Sequence, residues 1–146
     1  MKFSGTVEIK APRDKVFAFV SDPRQVGSCG PGVESIERID DAHYRASAKV
    51  GVGFISARFE ADVEVAELVD GKTARIKATG QAPGSAVDAL ASMDLSDAPG
   101  GATTMAWEAD VTISGTLASV GARMIEGTAN RLIDQTFDCI RAKLEA

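Results

Sequence analysis

One histidine, two cysteines and a short run of alternating acids are the residues whose types could carry chemistry in this sequence. His43 could act as a general base or a metal ligand. It stands on the polar side of an alternating segment, with Arg45, Ser47 and Lys49, opposite Tyr44, Ala46, Ala48 and Val50, which makes it a solvent-facing side chain. A single histidine with two distant cysteines does not make a zinc or iron spacing, so no metal is expected. Cys29 has no histidine near it in the chain, which argues against a thiolate nucleophile. Glu60, Asp62 and Glu64 recur at every second residue and so share one outward face, as a solvated surface does. The glycine-rich segment 27–32, Gly-Ser-Cys-Gly-Pro-Gly, precedes a strand pattern and not a helix, so it is no phosphate loop. Gly51-Val52-Gly53 reads as a turn or bulge. Trp107, the only tryptophan, faces inward, where it either completes a core or contacts a ligand.

These residues must be positioned by a regular series of elements. Residues 2–10 alternate, with Phe3, Gly5, Val7 and Ile9 on one face, and predict a half-buried strand. Pro12 and Asp14 suit the first turn of a short helix carrying Val16, Phe17, Phe19 and Val20. Asp22-Pro23 breaks it and starts a second short helix that ends before Gly27. Strands follow near 33–40 and 42–50. The alternation is clearest over Ile55, Ala57, Phe59, Ala61, Val63 and Val65. Asp70-Gly71 is a hairpin signal, as are Pro83-Gly84 and Pro99-Gly100-Gly101. Between and after these turns run three more strands, with Ala74, Ile76 and Ala78, then Val87 to Leu95, then Met105 to Ile113 pointing inward. After Gly115 the period changes from two to 3.6. Leu117, Val120, Met124, Thr128, Leu132, Ile140 and Leu144 predict one helix of about 28 residues, roughly 40 Å long. The order β-α-α-β-β-β-β-β-β-α predicts an α+β fold: a seven-stranded curved antiparallel sheet wrapped around a long C-terminal helix, as one domain over residues 1–146.

The inward face is unusually fine-grained. The chain holds 23 alanines, while aromatics are only 5% of it. Ala46, Ala48, Ala57, Ala61, Ala74, Ala78, Ala89, Ala91 and Ala109 all fall on inward positions. Two outcomes are open: the helix sits directly on the alanines at normal interior density, or a space remains. If a space remains, its expected lining is Phe59, Ala61, Val63, Ala89, Ala91, Met93, Met105 and Trp107 from the sheet, with Val120, Met124 and Thr128 from the helix.

A formal net charge of −5 and the absence of a basic stripe exclude an ordinary nucleic-acid binder and count against docking on anionic lipid. No stretch of about 18 apolar residues is present. No secretory signal is read ahead of the first strand, so a cytoplasmic, reducing setting is expected, with Cys29 and Cys139 as free thiols.

Three stretches carry a family resemblance that covers the whole chain. Phe3-Ser-Gly-Thr-Val-Glu-Ile, followed by Ala-Pro-Arg-Asp-Lys-Val-Phe17, is similar to the first strand and helix of the carbon monoxide dehydrogenase G-subunit family. Cys29-Gly-Pro-Gly-Val-Glu-Ser35 resembles its Cys-Leu-Pro-Gly-Cys-Glu-Ser motif. Trp107 through Ile113-Ser-Gly-Thr-Leu-Ala-Ser-Val-Gly-Ala-Arg-Met124 resembles its Gly-x-Leu-Ala-x-Leu-Gly approach to the last helix. The family lies within the helix-grip (SRPBCC) superfamily, with START lipid-transfer domains, the birch-pollen allergen and polyketide cyclases. The resemblance implies an accessory of a molybdenum hydroxylase of the carbon monoxide dehydrogenase type, one that recruits it to a membrane or carries a quinone, isoprenoid or lipid. Gly30 stands where the family has leucine, and the chain stops at Ala146, where many members continue; membrane contact is therefore expected to be peripheral at most.

The functional expectation is a non-catalytic carrier of an apolar small molecule, with no cofactor. A cyclase or hydrolase of the same superfamily would need polar groups in the pocket, for which Tyr44, Ser35, Thr103 and Thr128 are the candidates, and a ligand-free interaction module would need a filled core. The loop of Cys29, Gly30, Pro31 and Gly32 is expected to form the cavity entrance against the first half of the last helix, above Val120 and Met124. Gly30→Leu is then expected to strengthen ligand or membrane association.

Overall fold

The computed structural model describes residues Met1–Ala146. Strand β1 spans Lys2–Ile9, helices α1 and α2 span Arg13–Val20 and Pro23–Gly27, and strands β2 and β3 span Val33–Arg38 and His43–Val52. Strands β4, β5, β6 and β7 then span Ile55–Val69, Thr73–Ala82, Ser85–Ala98 and Ala102–Gly115, and helix α3 spans Ala122–Leu144. The Asp22 carboxylate caps α2 by accepting the backbone N–H of Arg24 at 3.0 Å. Each period-two segment becomes a strand because alternate side chains can then leave water together.

All seven strands pair antiparallel in one open sheet, in the order β1-β7-β6-β5-β4-β3-β2. Five hairpins account for β2 to β7, while the α1–α2 crossover carries the chain from one sheet edge to the other. The helix-grip arrangement expected from the sequence is the one observed.

The last helix is shorter than expected. Thr116–Val120 form a separate 3-10 turn, and Gly121, at φ +97°, breaks the chain before α3 begins. A side chain rarely adopts that conformation, so the glycine is a fixed joint. The 23 residues of α3 are about 34 Å long at 1.5 Å per residue.

The interior is divided between the two ends of α3. At one end Val16, Phe19 and Val20 of α1 pack with Met93, Leu95 and Met105 of the sheet and with Ile140 and Leu144 of α3. Fully burying an aliphatic side chain such as Ile140 is worth about 1.5–3 kcal/mol, so this end anchors the helix. At the other end Val52 and Phe59 pack with Leu117 and Ile125.

One expectation is corrected. Cys29 and Cys139 are not free thiols: they form a disulfide with Cα atoms 5.5 Å apart. The α2–β2 loop lies on the last turns of α3, and Lys143 reinforces the contact by donating to the Ser28 hydroxyl at 2.8 Å. The fold brings two thiols 110 residues apart to bonding distance, which neither composition nor compartment encodes.

Candidate functional site

Antiparallel register assembles inward side chains from different strands into rows that cross the sheet. One row runs Ala46, Ala61, Gly80, Val87, Ile113; the next runs Tyr44, Val63, Ala78, Ala89, Val111. Their central members are small. The rows towards the α1 end, Ala74–Met93–Trp107 and Leu95–Met105, are dominated by large side chains. Where the large rows lie, the core closes. Over the small rows α3 cannot reach the sheet, and a cavity of about 280 Å³ remains.

Thirteen of its fifteen lining residues are hydrophobic, and Thr128 is the one that carries a side-chain heteroatom. Ala61, Ala78, Val87 and Ala89 face the helix yet stay only partly buried, and in the whole chain 22 of 146 residues are buried. Direct packing of helix on alanine would have buried them. The space therefore exists, and the alanines make it.

Of the residues expected to line it, Phe59, Ala61, Ala89 and Thr128 do so. Met93 and Met105 belong to the closed core, and Trp107 packs there against Phe137 with ring centroids 5.2 Å apart. Val63 and Ala91 are partly buried but outside the lining. Val120 packs on the Leu117–Ile125 cluster, while Met124 is 44% exposed. The cause is Gly121: a helical stripe counted through it as continuous loses phase, and the face over the cavity becomes Ile125, Thr128, Ala129 and Leu132. Val50, Val52, Ala78, Gly80, Val87, Val111 and Ile113 complete the sheet side. Their alternation marked them as inward; only the register puts them over the space.

The structure also places the glycine loop elsewhere. Cys29, Gly30, Pro31 and Gly32 are tied to the far half of α3 by the disulfide, not to its first half. The turn against Met124 is instead that of the β3–β4 hairpin, where a Cβ on Gly53 would press on the Met124 sulfur. A Cβ on Gly30 would meet the Val33 side chain at 2.8 Å, so Gly30→Leu would disturb packing at the Val33 end of β2.

Of the polar candidates only Thr128 lines the cavity; His43, Ser35, Tyr44 and Thr103 lie outside it. His43 is exposed, and the hydrogen bond of its Nδ1 with Asp40, at 2.8 Å, raises its pKa above 6.5, with the Asp40 charge adding to this. Ser35 is exposed, and Tyr44 is buried beside the lining. Thr103 is fully buried and donates its hydroxyl to the Ala11 carbonyl at 2.7 Å, joining β7 to the start of the crossover. Thr103→Val keeps the shape but leaves that carbonyl without its donor. Its expected cost is about 1–2 kcal/mol in chemical denaturation, with no change in ligand affinity.

The sequence matches the family of the carbon monoxide dehydrogenase G subunit (CoxG) over residues 5–145. The chain belongs to the CoxG family. A search of curated proteins by sequence found no match. Among solved structures, a conserved protein of Geobacillus kaustophilus resembles this CoxG-family chain with a TM-score of 0.90 and 23% identity, covering 99% of this chain and 95% of that one. A START superfamily protein from Mycobacterium smegmatis has a TM-score of 0.71 at 16% identity, covering 99% and 97%. The Zhui aromatase/cyclase from Streptomyces sp. R1128 has 0.72 at 14%, covering 99% and 93%. The fold is START-like. CoxG membership and this fold together support a ligand-binding protein of the SRPBCC superfamily.

Proposed function

We propose that this protein binds and carries an apolar small molecule, a quinone, isoprenoid or lipid, without altering it chemically. It does so as an accessory to a molybdenum hydroxylase of the carbon monoxide dehydrogenase type, in the cytoplasm. The observation that supports this is the apolar cavity of about 280 Å³ between sheet and helix. Burial of apolar surface supplies affinity there, since the surface presented to the cavity is entirely apolar. The volume is just below the ~300–1,000 Å³ range of small-molecule sites, which suits a ring or a short isoprenoid segment better than a whole two-chain lipid. The dehydrogenase partner rests on family membership.

Native mass spectrometry of protein purified from its own host tests the reading, together with thermal denaturation in the presence of a short-chain ubiquinone. The expected result is a bound apolar mass, and a melting temperature raised by about 5–10 °C at a hundredfold excess of ligand over Kd. Ligand-free protein with no thermal response to quinones, isoprenoids or lipids would overturn it. Chemical conversion of the bound molecule would move the function to catalysis.

A further inference from the structure

A second recess, of about 300 Å³, lies on the flank of the cavity, between the end of β7 and the start of α3. Val111, Ile113 and Ile125 line both spaces, while Met1, Ala118 and Ala122 border the recess alone. Val111 and Ile113 hold inward positions in the alternation of β7 yet are only partly buried. A single layer of residues therefore bounds the cavity on one side and the recess on the other.

Strand pairing leaves this flank thinly covered. β1 accompanies β7 as far as Asp110, and Met1 adds a pair of 2.8 Å backbone hydrogen bonds with Val111. The last residues of β7, up to Gly115, have no strand beside them on that side. The other sides of the cavity are held more firmly. The β5–β6 turn is pinned to the 3-10 turn: the Gly84 carbonyl accepts the Thr116 N–H at 2.8 Å, and the Ser85 hydroxyl accepts the Leu117 N–H at 3.0 Å. The β3–β4 turn rests on Met124, and the large rows close the α1 end. Over the flank stand two alanines and Met1, which is 41% exposed and has an unbranched, adaptable side chain.

We propose that the recess is a second binding subsite, which takes the prenyl chain of a ligand whose ring occupies the cavity. The proposal rests on the carrier reading and deepens it, by narrowing the ligand class to rings that bear an isoprenoid chain of several units. A cavity of about 280 Å³ is too small to enclose such a molecule. The part left outside would expose apolar surface to water unless the protein covered it. The recess adjoins the cavity, is comparable in volume and is hydrophobic at six of its seven lining residues. The chain passes from one space to the other beside Ile113 and Ile125, as their side chains exchange rotamers. It lies against Met1, Ala118 and Ala122, so that the open backbone edge of β7 keeps its contact with water.

The test is titration calorimetry of the full chain with single-prenyl and tetraprenyl ubiquinone, both delivered from the same detergent. The ring is common to the two probes, so the difference between them reads the chain alone. Wild-type protein is expected to bind the tetraprenyl form about tenfold or more tightly than the single-prenyl form. Ala122→Asp puts a charge in the recess at the first residue of α3, where a carboxylate favours the helix and folding is kept. Ala122→Trp covers the recess with a ring from an exposed position. Each variant is expected to erase the tenfold advantage of the longer chain, with single-prenyl affinity and melting temperature unchanged. Equal wild-type affinity for the two probes, or an advantage kept in either variant, would overturn the proposal and leave the carrier reading standing. Failure of the wild type to bind either probe would overturn both.

Discussion

Reduction of the Cys29–Cys139 bond, or Cys139→Ser, lowers the melting temperature by about 10 °C while leaving the fold intact. The bond joins residues 110 apart in sequence. In the chain-entropy account a loop of that length, left open, returns roughly 5 kcal/mol of conformational freedom to the unfolded chain. For a chain of this size each kcal/mol moves the midpoint by about 2–4 °C. The folded side of the balance changes little, because other contacts hold the end of α3. Ile140 and Leu144 are buried, Lys15 donates to the Leu144 carbonyl at 3.0 Å, and Lys143 donates to Ser28. Scanning calorimetry with and without dithiothreitol, with far-ultraviolet circular dichroism as a control, measures the difference. Coincident transitions would mean that the pair does not form in solution. The cytoplasm proposed above is reducing, and there this increment is what the protein would lose.

Ala89→Phe abolishes ligand binding, with at least about a hundredfold loss of affinity, and leaves the melting temperature unchanged or higher. Ala89 lines the cavity where the small rows cross, paired with Ala78 on one side and Val111 on the other. In a packed core the added ring would cost about 1–3 kcal/mol through overpacking. Here it projects into empty space, fills much of a cavity of about 280 Å³, and gains contacts the alanine lacks. The ligand then has no room, and its binding free energy rests on burial in that volume. Titration calorimetry with a short-chain ubiquinone, beside thermal denaturation of the same variant, separates the two effects. Destabilisation by more than about 2 kcal/mol would show that the cavity collapses in solution, and unchanged affinity would place the ligand elsewhere.

Much of this is legible in the amino-acid sequence. Period-two alternation identifies each strand and its inward face without reference to the others, because a strand's own pleat dictates which side chains point the same way. Asp70-Gly71 and Pro99-Gly100-Gly101 mark hairpins through local backbone preference, and the change to a period of 3.6 after Gly115 announces the helix. The abundance of inward alanine announces a space or a very close approach.

Which of these it is, and where, depends on quantities no single segment contains. Register decides that Ala61, Gly80, Ala78 and Ala89 fall side by side while Met93, Met105 and Trp107 gather over α1, so the large inward residues close a core and the small ones open a cavity. Gly121 decides the helix phase: its φ of +97° uncouples Leu117 and Val120 from α3 and turns Met124 away from the cavity towards the β3–β4 tip. The pairing of Cys29 with Cys139 and the recess between β7 and α3 are decided in the same way, by which distant segments meet and which do not. Local periodicity is set by backbone geometry within a few residues and so can be read from the chain. Cavity, disulfide and recess are set by contacts across as many as 110 residues, and those exist only once the sheet has closed over its helix.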